Sequence, residues 1–219
     1  MKELEPLLKA GTAVIADVFD SLGELPPVLD TQLFGVKRNC EPFAGLAYTI
    51  TGKSEAWSSG GDRAKLQAID EMPPGIVAVW AGTDAKGVCC FGDLLASAMN
   101  ARGCAGAVVD GGIRDVAFLR ELRMPVVARY KTPAQAITRW RVKAKQVPVQ
   151  VRGGLRDWVT VNPGDTVVSD EDGVIIVPAN LRANVIDKVL EWSVTETSSR
   201  SEIQNGLPLL AALEKYGHL

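Results

Sequence analysis

The sequence predicts a single α/β domain, on three observations. Short apolar runs, IVAVWAG, GAVVDGG and MPVVARY, are separated by helical stretches over 93–102 and 113–122, the alternation expected of βαβ units with buried strands. After residue 145 the texture changes to VPVQV, DWVTVNPGD, TVVSDEDG and VIIVPAN, short strands with Pro, Gly and Asp turns that read as a β-rich layer completing the same domain. The 219 residues, 47% of them hydrophobic, suffice for one large domain or two small ones, since a domain takes roughly 100–200 residues, and a core of this size needs no staples.

In chain order, the opening segment reads as a helix because Leu7, Leu8, Val14, Ile15, Val18, Phe19 and Leu22 recur at three- and four-residue intervals; Gly23 and the following Glu-Leu-Pro-Pro stop it. Residues 44–53 (AGLAYTITGK) alternate and are rich in β-formers, predicting a strand. The loop Ser58-Ser59-Gly60-Gly61 precedes a helix from Asp62 to Glu71, which Pro73-Pro74-Gly75 breaks. From Asn180 the chain is helical with mixed charge, interrupted near Gly206-Leu207-Pro208, and closes on a short helix ending EKYGHL. There is no internal repeat and no low-complexity segment.

Composition excludes several chemistries. The one histidine, His218, is penultimate, so Ser-His-Asp hydrolysis, histidine-rich zinc sites and HExxH proteases are not expected. The 24 Lys and Arg are offset by 26 Asp and Glu without a long like-charge run, which argues against nucleic acid as a partner. The first 25 residues carry acidic side chains and do not read as a signal peptide, and no apolar run approaches the roughly 20 residues of a membrane span. Cys40, Cys89, Cys90 and Cys104 have neither disulfide-framework nor zinc-ribbon spacing; they read as reduced thiols of a cytoplasmic protein, with Cys89-Cys90 in the core. The five tryptophans are expected to pack, although Trp57 sits in the loop nearest the expected crevice.

The segment Ala47 to Ser54, with Gly52-Lys53-Ser54, fits a relaxed phosphate-loop pattern. However, Tyr48, Thr49, Ile50 and Thr51 favour an extended ladder over a cradle of inward amides. The informative stretch is FGDLLASAMNARGCAGAVVDGGIRD, residues 91–115. Gly92-Asp93 opens one helix, and Arg114-Asp115 opens the next after the strand GAVVD and Gly111-Gly112. The carboxyl ends of strands and the amino ends of the helices after them face the crevice of an α/β layer, so both clusters can converge. The amides of Leu94 and Leu95 with the Arg114 guanidinium suit a substrate carboxylate. Asp115 is a hard oxygen ligand, and magnesium commonly takes only one or two carboxylates. Asp93 can hold a water for proton transfer. These residues alone leave a second reading open, in which Asp93 is the helix N-cap and Arg114 and Asp115 pair with surface groups. Asp110, beside two glycines, reads as a turn former.

Gly92-Asp93-Leu94-Leu95, Ala101-Arg102-Gly103 and Val109-Asp110-Gly111-Gly112-Ile113-Arg114-Asp115 resemble the signature of the regulator of ribonuclease E activity A family. That family includes the class II 4-hydroxy-4-methyl-2-oxoglutarate / 4-carboxy-4-hydroxy-2-oxoadipate aldolases. Twenty residues separate Asp93 from Arg114-Asp115, as in the aldolase members, and TAVIADVFDSLG and Glu-Lys-Tyr-Gly are also similar to the family. The resemblance implies a compact swivelling β/β/α-type sandwich over 1–219, assembled as a homotrimer or homohexamer, with a helical extension from about 180 packing at a subunit interface. It implies Mg2+ or Mn2+ at Asp115, largely through water, and a pyruvate-like 2-oxo acid held by Arg114 and by the Gly92, Leu94 and Leu95 backbone. Asp93 would position the protonating water, and a glutamate of the C-terminal helix, Glu196 first with Glu191 and Glu202 close by, would reach a neighbouring subunit's site. The activity implied is retro-aldol cleavage of a 4-hydroxy-2-oxo dicarboxylic acid to pyruvate, with oxaloacetate decarboxylation as a side reaction. A lysine Schiff base is the competing mechanism, but Lys86 and Lys131 have no evident partner to depress their pKa.

The chain departs from the aldolase members over SEAWSSGGDRAKLQAID, which offers Arg63 and Lys65 where those members have Gly-Asp-Asn and a downstream histidine; Arg63 is taken as the substrate contact. Two further functions stay open on this reading: a 2-keto sugar-acid dehydratase, and a non-enzymatic ribonuclease binder. The presence of Asp93 favours an enzyme.

Overall fold

The computed structural model describes residues 2–57, 60–82 and 84–217; Ser58, Ser59 and His218 lie outside the described residues. After a 3-10 turn at Lys2–Leu4, the opening helix α1 (Glu5–Ser21) buries Leu7, Val14, Ile15, Val18 and Phe19. It is not the uninterrupted helix its periodicity predicts. Gly11 leaves the helical region at φ 84° and ψ 170°, and the Asp170 carboxylate accepts bonds from the Thr12 amide and hydroxyl, each at 2.7 Å. The carboxylate serves the amide that the break frees, as an N-cap would.

The main sheet runs in the order β1-β6-β5-β3-β2-β10-β11. Its centre is parallel, pairing β2 (Phe43–Ser54) with β3 (Ile76–Ala81), β3 with β5 (Gly106–Ile113), and β5 with β6 (Val126–Lys131). The short β1 (Phe34–Gly35) is antiparallel to β6, and β10 (Thr166–Ser169) joins β2 and β11 (Val174–Val177) antiparallel. Two strands lie off this path: β4 (Cys89–Phe91) is parallel to β5, and β7 (Trp140–Lys145) is antiparallel to β2. Residues 47–54, including Gly52-Lys53-Ser54, are strand throughout, so they form no phosphate cradle.

The layers follow from the two-residue period of a strand. Ile76, Ala78 and Trp80 of β3 pack under α2 (Arg63–Asp70), α3 (Asp93–Ala101) and α4 (Val116–Glu121) in a core that includes Met72, Met99, Phe91 and Leu119. Their alternates Val77 and Val79 face Val149, Val151, Val159 and Val161 of the hairpin β8 (Val149–Arg152) and β9 (Trp158–Val161). Helices on one face and a second β layer on the other make the β/β/α sandwich. A third core joins α1 to β10, β11 and α5 (Arg182–Gln204) through Phe19, Ile175, Val185 and Val189, and α6 (Leu209–Tyr216) follows the predicted break.

Asp110 is not a turn former. It lies inside β5, fully buried, where its carboxylate receives the Nε of Arg129 and, at 3.0 Å, the Arg152 amide; Arg129 also holds Asp30 at 2.7 Å. The strand continues through Gly111 and Gly112 because Tyr130 and the Val88 carbonyl crowd the space a Gly112 side chain would need.

Candidate active site

The pairing of β4 with β5 builds the site. Phe91 lies in register with Ile113, and the Arg114 amide donates to the Phe91 carbonyl at 3.2 Å, so the two strands end side by side and release Gly92-Asp93 and Arg114-Asp115 at one edge. A cavity of about 290 Å³ opens there, its wall formed by Gly92 to Leu95, Arg114-Asp115, Cys89 to Phe91, Gly61-Asp62, Lys65-Leu66 and residues 135–137. The two clusters, twenty residues apart in sequence, thus meet as expected.

Glycine at position 92 leaves the Asp115 carboxylate its place. A β-carbon there would stand 2.9 Å from Asp115 Oδ2 and 3.3 Å from Arg114 Cγ. Gly92, not Asp93, is the N-cap of α3; Asp93 is its first helical residue, and its Oδ1 accepts the Leu94 amide at 2.7 Å. The Leu94 amide therefore has an acceptor of its own chain, while the Leu94 side chain, 78% exposed, stands at the cavity mouth.

Asp115 caps α4 from the left-handed region, φ 58° and ψ 37°. Aspartate visits this region more readily than most residues, and such conformations gather where a site fixes the backbone. Arg114 Nε donates to Asp115 Oδ2 at 3.2 Å, and both side chains are partly exposed to the cavity, 41% and 32%. Among the described residues Asp115 Oδ1 carries no bond. No cluster of three or more His, Cys, Asp or Glu exists among the described residues. Asp93 and Asp115 on one wall nonetheless suit a hard, largely hydrated cation, which takes one or two carboxylates and fills its other positions with water and substrate.

The structure brings Gly92, Asp93, Leu94, Leu95, Arg114 and Asp115 together, but places Arg63 and Glu196 elsewhere in the protomer. Arg63 faces a neighbouring hollow with Trp57, Arg141 and Lys143. Positions 63 and 65 of one helix point about 200° apart, so when Lys65 faces the cavity Arg63 turns away. Glu196 pairs with Arg200 and lines a separate groove of about 270 Å³ with Val14, Trp192, Ile203 and Leu209.

Of the two cations that the sequence offers in the substrate loop, Lys65 and not Arg63 lines the cavity. It is only 9% exposed, on the inner face of α2 with Ala68 and Ile69. Its burial pushes the ammonium pKa down, and the nearby thiols and Asp62 only partly oppose this. The signal was present: 65, 68, 69 and 72 form the buried i, i+3, i+4, i+7 stripe, with a lysine at its first position. Burial likewise raises the Cys90 thiol to about 12 and raises Cys89, so neither is a ready nucleophile.

Comparison with known proteins agrees with the fold. The model of the RraA-like family, Aldolase/RraA, matches residues 12–176. A protein of Halalkalibacterium halodurans named “Putative 4-hydroxy-4-methyl-2-oxoglutarate aldolase” is 34% identical over 211 residues, covering 94% of this chain and 91% of that protein. Protein DlpA of Legionella pneumophila is 26% identical over 97% of this chain, which spans only 33% of its length. The crystal structure of Streptomyces coelicolor RraAS2, described as an unusual member of the RNase ES inhibitor RraA protein family, superposes with a TM-score of 0.76. It is 28% identical and covers 91% of this chain and 96% of that one. With the fold, the paired strand ends and the family match over most of its length, this chain belongs to the RraA-like family.

Proposed function

We propose that this protein is a divalent-metal-dependent lyase that cleaves a 4-hydroxy-2-oxo dicarboxylic acid to pyruvate. The observation that carries the reading is the convergence of Asp93, Arg114 and Asp115 on one cavity, and the 34% identical relative named as an aldolase supports it.

Asp115, with Asp93 near it, would hold Mg2+ or Mn2+ through water; the cation's contribution is to polarise the 2-oxo group when bound. Arg114 binds and orients the substrate carboxylate in a charge-assisted contact, helped by the amino end of α3. Asp93, fixed by the Leu94 amide, holds a water at the carbon that must accept a proton once the C3–C4 bond has broken. Oxaloacetate decarboxylation needs the same residues in the same roles.

The assembly proposed is a homotrimer or homohexamer, and the C-terminal helices offer surface for contact between subunits. Leu190, Val194, Leu209, Leu210 and Leu213 are all exposed on α5 and α6, an apolar surface that a neighbouring subunit would cover. Glu196, about 200° round α5 from Val194, lines the groove beside Leu209 and would be the residue contributed to a neighbour's cavity. No helix of the described residues is long and apolar enough to cross a membrane, in keeping with a cytoplasmic enzyme.

The test is pyruvate release from 4-hydroxy-4-methyl-2-oxoglutarate and from oxaloacetate with Mg2+ or Mn2+, and its loss in excess EDTA. If neither reacts, water elimination from 2-keto sugar acids distinguishes a dehydratase. The likeness to RraAS2 favours a second reading, a ribonuclease-binding regulator, which co-purification with a ribonuclease would support.

A further inference from the structure

The cavity holds two cationic side chains on different walls. Arg114, at the end of β5, already has an anionic neighbour in Asp115. Lys65, on α2, is bound less well. Asp62 is its nearest carboxylate, but both Asp62 oxygens are engaged by the backbone: Oδ1 accepts the Lys65 amide at 3.2 Å and Oδ2 the Val142 amide at 2.8 Å. The Lys65 Nζ stays 4.0 Å from Oδ2, beyond hydrogen-bond reach, and lies 5.2 Å over the Trp140 ring. Among the described residues no hydrogen bond holds that ammonium. A lysine with three donors, only 9% exposed in a cavity lined by Leu66, Phe91, Ala136 and Ile137 as well as Cys89, Cys90 and Gln135, has given up most of its water without gaining a full set of acceptors.

Such a group lowers its free energy by meeting an anion in the cavity. A monocarboxylate held at Arg114 leaves Lys65 as it is. A dicarboxylate of suitable length serves both cations. We infer that Lys65 is the specificity-determining residue of this cavity, selecting 2-oxo acids that carry a second carboxylate at the end remote from the 2-oxo group. The inference rests on the proposed 2-oxo acid site and adds to it the residue that selects the dicarboxylic substrate. Desolvation, which already weakens the hold of Lys65 on its proton, makes the gain from an incoming anion larger.

The experiment compares two unreactive probes of equal chain length, 2-oxoglutarate and 2-oxopentanoate, which differ by one carboxylate. Their binding to the full-length protein is measured by calorimetry with Mg2+ present. The wild type is expected to favour 2-oxoglutarate by about tenfold to a hundredfold, the usual worth of a hydrogen bond to a charged group. Lys65→Met should lose that preference while binding 2-oxopentanoate as before, and Lys65→Arg should retain most of it. If Lys65→Met does not fold, Lys65→Gln gives the same comparison. A Lys65→Met or Lys65→Gln protein that keeps the wild-type preference overturns the inference but not the site. A wild type that binds neither probe overturns the 2-oxo acid reading and this inference with it. Reduction by borohydride in the presence of 2-oxoglutarate that leaves a stable adduct on Lys65 would also overturn it, because Lys65 would then be an imine-forming nucleophile.

Discussion

Gly92 and Asp115 are in such close approach that a single added methyl on Gly92 would lie 2.9 Å from the Asp115 carboxylate. One residue ends a strand and starts a helix; the other does the same on the neighbouring strand. Their contact makes one site of two separate segments, and it makes the position of the proposed metal ligand depend on a residue with no side chain.

Gly92→Ala should therefore push the Asp115 carboxylate aside without disturbing the core. We expect a folded protein whose turnover falls about a hundredfold, the scale at which an ångström of misplacement is felt. Circular dichroism and steady-state kinetics check both halves.

Arg114→Ala and Asp93→Asn should fail in different ways. Without Arg114 the substrate carboxylate loses its charged donor, so KM should rise about tenfold to a hundredfold. With Asp93→Asn the proton-delivering water loses its acceptor, so kcat should fall by about 10²–10⁴ with KM little changed. Initial rates over a substrate series separate the two.

Sequence alone carried the architecture further than it carried the site. The parallel strands 76–81, 106–113 and 126–131 announced themselves as unbroken apolar runs, and the late β layer by its turn residues. Strand β7 was legible as well, since Trp140, Val142 and Ala144 alternate with Arg141, Lys143 and Lys145 in the two-residue period of a half-buried strand, although no strand was expected there. The break at Gly11 was hidden because its cause is Asp170, far along the chain. Asp110 looked like a turn because two glycines follow it, but its partner Arg129 lies on the next strand, and only the sheet brings the two together. Asp93, Arg114 and Asp115 were legible because local rules place them at strand and helix ends. Lys65 required knowing which way α2 faces.

The Asp30–Arg129–Asp110 network makes a stability prediction. Asp110→Ala leaves the Arg129 guanidinium buried without its main partner and should cost about 3–5 kcal/mol in urea unfolding. Replacing both, as Asp110→Leu with Arg129→Met, should restore much of that loss.

Acid should reveal the other end of the same network. Burial disfavours the Asp30 carboxylate, but the Gln32 amide and the Arg129 and Arg152 charges outweigh it, holding its pKa below the ordinary 3.8. A carboxyl depressed in the folded state stabilises the fold fully above its unfolded pKa and loses that contribution as pH falls through the folded one. Thermal melts from neutral pH to below 3.8 should show wild type converging on Asp30→Asn, which starts less stable and declines less steeply.

The central claim is that Asp115 organises a metal-dependent cleavage of 2-oxo acids, and one measurement bears on it most directly. Pyruvate released from 4-hydroxy-4-methyl-2-oxoglutarate is followed as Mg2+ is titrated into metal-stripped wild type and Asp115→Ala. The account predicts a saturable rise in rate for the wild type and none for the folded variant. Equal rates for the two proteins, or full wild-type activity in excess EDTA, would contradict it.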